Sequence, residues 1–368
     1  MKRLIVYSIM FLMFILLTSV QTKAGDKIEF SNDFNMFTSK NLEGYLKPLF
    51  TSIEEGINSN LYSTAYYKDA WSIGLDFSVS GMFIPNSQTT YNAERPEEFG
   101  NTGIVRTAER RNGEILTDYT GGNIQPTIYG GHSTSIYAAR QNAWYPDSVN
   151  KTIGSVEGND ISFMSGLPTL QLTVGIPSRT EVRLRYLSLN VSGSPLTYWG
   201  IAAAQRLDHF FNLFDTEQNL AFAVNVAYSQ ITRDAGLDIN TFAVGAFCSK
   251  WWDNGLTLYA GLQYENMGGK FEAVRDKSSK DDFNDSPYKE IREMQDLSID
   301  ISSFTNFRLT GGISYKIGFL ELHADAAWAS QPILTAGLRF IFAEWGNSVD
   351  LEREKRNKIK RKQNTQNK

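Results

Sequence analysis

The last regular stretch of the chain, residues 306–342, reads NFRLTGGISYKIGFLELHADAAWASQPILTAGLRFIF and decides the fold. Apolar and polar residues alternate through it, as Leu309 does with Arg308, and the alternation resumes after Gly318 and again after Pro332. A period of two is the pattern of a β-strand with one apolar face. The stretch therefore predicts three strands of about ten residues joined by tight turns.

The composition of the two strand faces is typical of a membrane barrel. A soluble sheet would carry many lysines and glutamates on its polar face, whereas these faces carry few charges and place aromatic residues near the strand ends. In a barrel the outer face meets lipid and the inner face meets a polar lumen. Aromatic residues make up 13% of the chain and charged residues 21%, which agrees with this interpretation. The fold class predicted is all-β, a transmembrane antiparallel β-barrel preceded by a short helix.

Seven earlier stretches show the same alternation and raise the count to about ten strands. They are Trp71–Ile84, Thr169–Ile176, Thr180–Val191, Tyr198–Leu207, Leu220–Gln230, Asn240–Ser249 and Leu256–Glu265. Residues 85–167 contain only fragments of the pattern, and a structureless segment of that length is unusual. One or two further hairpins there would bring the barrel to about 14 strands, so the prediction is about 10–14. The alternative is a folded insertion that caps or constricts the pore.

The residues before the barrel read as an export signal followed by a helix. A basic start, an apolar run and small residues ending at Ala24 predict a cleaved signal peptide at residues 1–24. Within residues 25–69, apolar residues such as Leu42, Leu46 and Ile53 recur at helical spacing, and the helix is expected to start near Pro48. It would lie at the periplasmic mouth or enter the lumen as a plug.

Counting strands back from Phe342 orients the barrel, which spans residues 70–342. Short turns then fall in the periplasm, and the two long connections, residues 85–167 and 266–304, fall outside, as in outer-membrane barrels. A final strand ending on Phe342 also looks like the signal read by the barrel-assembly machinery. Residues 343–368 would form a charged periplasmic tail. The expected location is the outer membrane of a Gram-negative bacterium, with membrane lipid around the barrel.

Several short motifs resemble an uncharacterised family of Gram-negative outer-membrane barrels. They are Tyr45-Leu46-Lys47-Pro48-Leu49, Tyr62-Ser63-Thr64-Ala65, Leu167-Pro168-Thr169, and Gly175-Ile176-Pro177 with Arg183 and Tyr186. More loosely, the chain is similar to long-chain fatty-acid and aromatic-hydrocarbon transporters, which also carry an N-terminal segment before the barrel. That resemblance implies a plugged barrel and names no substrate.

The alternation predicts which charged side chains face the lumen. The candidates are Asp76, Glu181, Arg183, Arg185, Arg308, Glu321, His323, Asp325 and Arg339. Such charges are expected to pair across neighbouring strands. They would form either a selectivity ring in a conducting pore or a salt-bridge network that fills a closed barrel. The second alternative fits about ten strands, since such a barrel is little wider than its side chains fill.

Neither catalysis nor a cofactor is expected. Glu321, His323 and Asp325 point the same way, but any polar strand face gives that spacing, and no HExxH or serine-elbow motif is present. A calcium loop starting at Asp282 would need glycine where Pro287 stands. No metal site and no nucleic-acid partner are predicted. The expected function is passive transport of a small solute, hydrophobic solutes included; the alternative is a structural or adhesive barrel that presents its outer loops.

Overall fold

The computed structural model describes the barrel and the segment that precedes it. The residues described are 37, 39–93, 104–111, 114–119, 124–139, 152–154, 156–166, 168–191, 194–211, 219–233, 236–273, 297–303 and 306–345. The predicted signal peptide, residues 1–24, lies outside the described residues, as do residues 25–36, 274–296 and the tail from residue 346.

Ten antiparallel strands close into a barrel, which confirms the predicted fold class at the lower end of the predicted strand count. They are β1 (Trp71–Phe83), β9 (Thr169–Ile176), β10 (Thr180–Val191), β11 (Ser194–Arg206), β12 (Leu220–Arg233), β13 (Leu237–Trp251), β14 (Leu256–Ala273), β16 (Phe307–Ile317), β17 (Leu320–Trp328) and β18 (Ile333–Trp345). Each strand pairs with the next in this order, and β18 pairs with β1. Closure places Asp76 directly opposite Arg339.

The remaining elements lie before the barrel or in its connections. Two helices are described, α1 (Ser39–Ile57) and the short α2 (Asp208–Phe211), together with a 3-10 turn at Asn86–Gln88. The other strands are β2 (Thr90–Asn92), β3 (Ile104–Arg111), β4 (Glu114–Tyr119), β5 (Ile124–Pro126), β6 (Ser133–Ala139), β7 (Thr152–Gly154), β8 (Phe163–Ser165) and β15 (Leu297–Ser302). Among the described residues, no helix is long and apolar enough to cross a membrane.

The connection between β1 and β9 contains the folded insertion that the sequence left open. Strands β3, β4, β6 and β7 form one small sheet, and β2 pairs with β5. Strand β8 pairs with the end of β1, just beyond the residues that pair with β9. We call this end of the barrel the long-loop end. The opposite end, where Pro177–Arg179 and Trp252–Gly255 connect strands, is the short-turn end.

The strands project beyond the lipid-facing band at the long-loop end. The prediction of a loop over residues 266–304 is therefore wrong at both ends of that range, where β14 continues to Ala273 and β15 begins at Leu297. Strand β14 runs for 18 residues, whereas about 9–11 suffice to span a membrane. Up to Tyr264 its apolar residues point outward, but beyond Glu265 the buried inward residues are Met267 and Phe271 and the outward ones are polar. Strand β15 repeats this inverted pattern, with Ile299 among its buried inward residues. The polarity of the faces changes because the outside now meets water and the inside meets α1.

Helix α1 begins at Ser39, nine residues before the predicted start at Pro48, so proline stands in its interior. An internal proline removes one backbone hydrogen bond and favours a kink. The helix persists because it is enclosed: Leu42, Tyr45 and Phe50 pack in a cluster with inward side chains of β11–β15. Helix α1 therefore lies inside the barrel, in the half nearer the long-loop end.

Candidate functional site

The lumen has one side of small residues and one side of charged residues. Six inward positions on β11–β13 are buried alanines: Ala202, Ala204, Ala221, Ala223, Ala227 and Ala243. The remaining strands carry the charged candidates, all of which are buried. The small residues leave room inside the barrel for a further segment of chain, and residues 61–67, just after α1, pack against them. The chain fills the lumen with its own residues 37–70.

We call residues 37–70 the plug segment, because they run through the lumen from one end to the other. Below α1, Leu61, Tyr62 and Ala65 pack among the alanines of β11–β13, and the ring of Tyr62 stacks on Phe247 with centroids 4.1 Å apart. The backbone N–H of Ala65 donates to Ser249 Oγ at 3.0 Å. At the short-turn end Lys68 forms an ion pair with Glu344 at 3.0 Å.

Arg185 holds the end of α1 from the barrel wall. Its guanidinium donates to the carbonyl oxygens of Ile57 at 2.6 Å, Ser59 at 2.9 Å and Asn60 at 2.7 Å. The last carbonyls of a helix lack partners within the helix, and the partial negative charge at this terminus favours a cation. Gln171 accepts a further hydrogen bond from Arg185 Nε. The wall thus supplies the cap that the helix lacks.

Arg308 holds α1 from another side, through two carboxylates. Its Nη2 donates to Glu55 Oε2 of the plug segment at 2.6 Å, and its Nε donates to Glu265 of β14. Glu265 also accepts from Asn58 Nδ2 at 3.1 Å. The neighbouring Glu54 accepts the hydroxyl of Ser303 at 2.6 Å. Burial raises the pKa of Glu54 to about 8 and that of Glu55 to about 7, against the opposing effect of Arg308.

A third network, around Arg339, belongs mainly to the wall. Arg339 lies 3.2 Å from Asp76 and 3.6 Å from Glu181, which also pairs with Arg183 at 2.6 Å. His323 Nε2 lies 3.4 Å from Asp76 Oδ1. This network meets the plug segment where Asn60 Nδ2 donates to Asp76 at 3.0 Å.

The two remaining candidates lie on β17. Glu321 accepts the hydroxyl of Ser63, a plug residue, at 3.1 Å. Asp325 accepts the hydroxyl of Tyr259 at 3.1 Å. The nine candidates therefore divide between contacts to the plug segment and contacts within the wall. They do not converge on one reaction centre, and the described residues contain no group of three or more metal-ligating side chains.

At the long-loop end a cluster of polar residues clamps α1. Gln331 donates to the carbonyl of Pro48 at 2.9 Å and to Gln88 Oε1 at 2.8 Å, and it accepts from Ser52 Oγ at 2.7 Å. The hydroxyl of Tyr129 lies 2.9 Å from Ser52 Oγ. The folded insertion between β1 and β9 is therefore tied directly to the plug segment.

The middle of the lumen is closed to water in this structure. Asp76 is 0%, Arg183 1%, Arg308 3% and Arg339 4% exposed, although all four point inward. An open aqueous pore would leave such side chains exposed. Below this level a cavity of about 370 Å³ lies at the short-turn end, lined by residues that include Tyr67, Trp251 and Lys316. The plug segment therefore separates this cavity from the long-loop end of the barrel.

A family model for DUF6588, a family of unknown function, matches residues 1–342. The chain belongs to this family. The match covers the barrel up to residue 342, three residues before the end of β18. No curated protein matches the chain.

Solved structures resembling this DUF6588 protein are bacterial outer-membrane proteins. OmpTdeltaL8, a loop-deletion mutant of a Vibrio cholerae outer membrane protein, is 10% identical over 74% of this chain and 98% of that chain, with a TM-score of 0.24. An anion-selective porin from Comamonas acidovorans is 8% identical over 74% and 100%, with a TM-score of 0.21. The translocator domain of the autotransporter NalP from Neisseria meningitidis is 11% identical over 82% and 97%, with a TM-score of 0.21. Scores this low carry no argument about function, and the likeness to fatty-acid and aromatic-hydrocarbon transporters finds no support among them.

The sequence reasoning missed the partners of Arg308 in this DUF6588 protein. The sequence predicts pairing among the nine lumenal candidates, whereas the guanidinium of Arg308 reaches Glu265 and Glu55, which are not among them. Glu265 could have been found, because it continues the inward odd-numbered face that Gln263 begins. Glu55 could not, because its position depends on where α1 lies.

Proposed function

We propose that this outer-membrane barrel is a gated passive transporter, closed at rest by its own plug segment. The observation that carries the proposal is that the plug segment, and not the barrel wall, closes the lumen. A separate segment of the chain fills the lumen, and the wall it leaves behind has small inward residues such as Ala223 and Ala243. Displacing that segment would open a passage along the alanine side of the lumen.

The contacts that hold the plug segment also support the proposal. Arg185, Arg308 and Gln331 each reach it through polar groups that water can replace once the helix moves. The ion pairs around Arg339 link β1, β10 and β18 through wall residues alone, so they need no plug residue. A barrel that keeps its shape without its plug is the requirement for gating.

The proposed solute is small and crosses from the long-loop side to the cavity at the short-turn end. Following the strand count, we place the short-turn end in the periplasm. The proposal covers hydrophobic solutes as well as polar ones, and it assigns no catalysis and no cofactor. A second candidate, a non-transporting barrel that presents its outer insertion, is favoured by the apolar cluster around α1, which opposes release of the helix.

A reversible crosslink tests the proposal on the whole mature protein. Thr64 Oγ1 of the plug segment and Ser249 Oγ of β13 lie 3.5 Å apart, so Thr64→Cys with Ser249→Cys places two thiols within reach of a disulfide. The natural Cys248 is replaced by alanine to prevent mispairing. The control crosslink is Ser229→Cys with Thr241→Cys, which joins paired residues of β12 and β13 within the wall.

We expect solute flux into proteoliposomes, and intermittent steps in planar bilayers, from the reduced plug-crosslink variant and none from its oxidised form. The wall-crosslink control should conduct in both states. Equal flux from the oxidised and reduced plug-crosslink variant would refute gating by this segment. If no form conducts, including a variant that lacks residues 25–68, the result would favour the non-transporting barrel.

A further inference from the structure

Three buried carboxyl groups surround Arg308 where α1 meets the wall. Glu54 and Glu55 lie on α1, and Glu265 lies on β14. Their residues are 2%, 3% and 3% exposed, so water does not screen them. Glu54 faces Glu55 on its own helix, Glu265 on β14 and Arg308 on β16.

The guanidinium of Arg308 donates hydrogen bonds to two of the three carboxyl groups. Within the described part of the chain, Arg308 donates to Glu55 and Glu265 and not to Glu54. Glu54 receives the hydroxyl of Ser303, which itself accepts the backbone N–H of Met267. A neutral hydroxyl suffices for a protonated carboxyl group, but a buried carboxylate requires a counterion.

We propose that the Glu54 carboxyl group is a proton-operated latch, which keeps the plug segment docked while protonated and releases it on losing its proton. This inference rests on the proposed function and adds its regulation. Ionisation would place a third negative charge beside Glu55 and Glu265, which share a single guanidinium. The charge is relieved when α1 leaves the wall and Glu54 reaches water.

Glu54 lies beside the point where β14 changes its pairing partner. Strand β14 pairs with β16 as far as Tyr264 and with β15 from Gly268 onward. Ser303, which donates to Glu54, belongs to the short break between β15 and β16. Glu55 also accepts the backbone N–H of Ser330, from the connection between β17 and β18. A charge gained at Glu54 therefore acts on the point where α1 meets two connections of the long-loop end.

The direction of the pH dependence follows from linkage. Burial raises the pKa of Glu54 from 4.5 to about 8 in the docked state, and a released helix returns it to its ordinary value. Between these two values the docked form keeps a Glu54 proton that the released form loses. This group alone therefore lowers the ratio of docked to released plug about tenfold for each unit of rising pH in that interval. Glu55, whose pKa burial raises to about 7, adds a contribution of the same sign below that value.

Two readouts on the full-length mature protein test the latch. The first is channel activity in planar bilayers between about pH 5.5 and about pH 9, a range that extends past the raised pKa of Glu54. The second is the mobility of a spin label on Ser39→Cys in a Cys248→Ala background, since Ser39 is exposed at the start of α1. Label mobility reports helix release whether or not a solute passes.

Glu54→Gln is the test variant and Glu43→Gln the matched control, because Glu43 is less buried on the same helix. We expect openings and label mobility to rise with pH in the parent and in Glu43→Gln. In Glu54→Gln the rise between about pH 7 and about pH 8 should be lost, because only Glu55, whose raised pKa is about 7, still releases a proton. Glu54→Met, neutral and similar in length, repeats the test if the glutamine variant folds poorly.

The outcomes separate the latch from the proposed function. Label mobility that rises with pH without any current supports the latch and refutes transport. Current without pH dependence overturns the latch while transport stands. The same holds if the rise between about pH 7 and about pH 8 persists in Glu54→Gln and Glu54→Met. A label that stays immobile at every pH in the parent protein also overturns the latch.

Discussion

Replacing Arg308 by methionine should loosen the plug segment without dismantling the barrel. Methionine keeps most of the side-chain length but removes the guanidinium shared by Glu55 and Glu265. Removing one partner of a buried ion pair costs about 3–5 kcal/mol, because the remaining charge stays buried and unpaired. Here the cost is relieved when α1 leaves, since Glu55 then reaches water. At about 1.4 kcal/mol per tenfold, the released fraction should rise about 100-fold to a few thousand-fold.

Arg339→Met is the matched control. Arg339 is equally buried between two carboxylates, Asp76 and Glu181, but both belong to the wall. Its loss should destabilise the barrel by a similar amount and leave the docked plug in place. The measurement is the frequency of openings in planar bilayers, with folding checked by the shift in gel migration on boiling. A folded Arg308→Met barrel that opens no more often than Arg339→Met would refute the role given to this contact.

The effect of Arg308→Met should also depend on pH. Burial raises the pKa of Glu55 to about 7 although Arg308 opposes the rise, so without the guanidinium the pKa is higher still. In acid Glu55 is then protonated and needs no counterion, whereas at high pH it is a buried carboxylate with no guanidinium beside it. The gain in openings over the parent protein should therefore be larger near about pH 9 than near about pH 5.5. A gain of equal size at both values would contradict this explanation.

Two further predictions concern the wall. Ala223→Leu adds bulk to the alanine side of the lumen and should weaken plug docking by about 1–3 kcal/mol. The control, Ala246→Leu on the outward face of β13, should be nearly neutral. Denaturation and channel recordings measure both variants. Cys248, exposed on the outer face of β13, should react with a lipid-soluble maleimide in liposomes and resist a water-soluble one, and equal labelling by both reagents would contradict its contact with lipid.

The barrel could be predicted from sequence because lipid constrains every strand in the same way. A strand that faces hydrocarbon outside and polar groups inside must alternate, so Leu309 and Arg308 identify their faces without any knowledge of their neighbours. The rule fails where the lipid ends. Beyond Glu265 the outside meets water and the inside meets a helix, so the alternation inverts and the strand was read as a loop.

The lumenal pairs were harder to predict than the lumenal faces. Register across adjacent strands brings Asp76 to Arg339, and strand counting alone suggests that neighbourhood. The partners of Arg185 are backbone carbonyls of residues 57–60, which carry no side-chain signal in the sequence. A hydrogen bond to a main-chain oxygen can be assigned only when the path of the chain is known.

The position of the plug segment was left open because α1 is read as amphipathic, and an amphipathic helix suits a membrane mouth as well as a lumen. What decides between them is volume. Ten strands enclose more space than the alanines of β11–β13 can fill, and an unfilled apolar surface is unfavourable. The same alanines that look unremarkable on a strand face are therefore evidence for an occupant of the lumen. In DUF6588 chains, we expect loss of small inward residues on these strands to accompany loss or shortening of the segment that follows the helix, because that segment and these residues fill one volume.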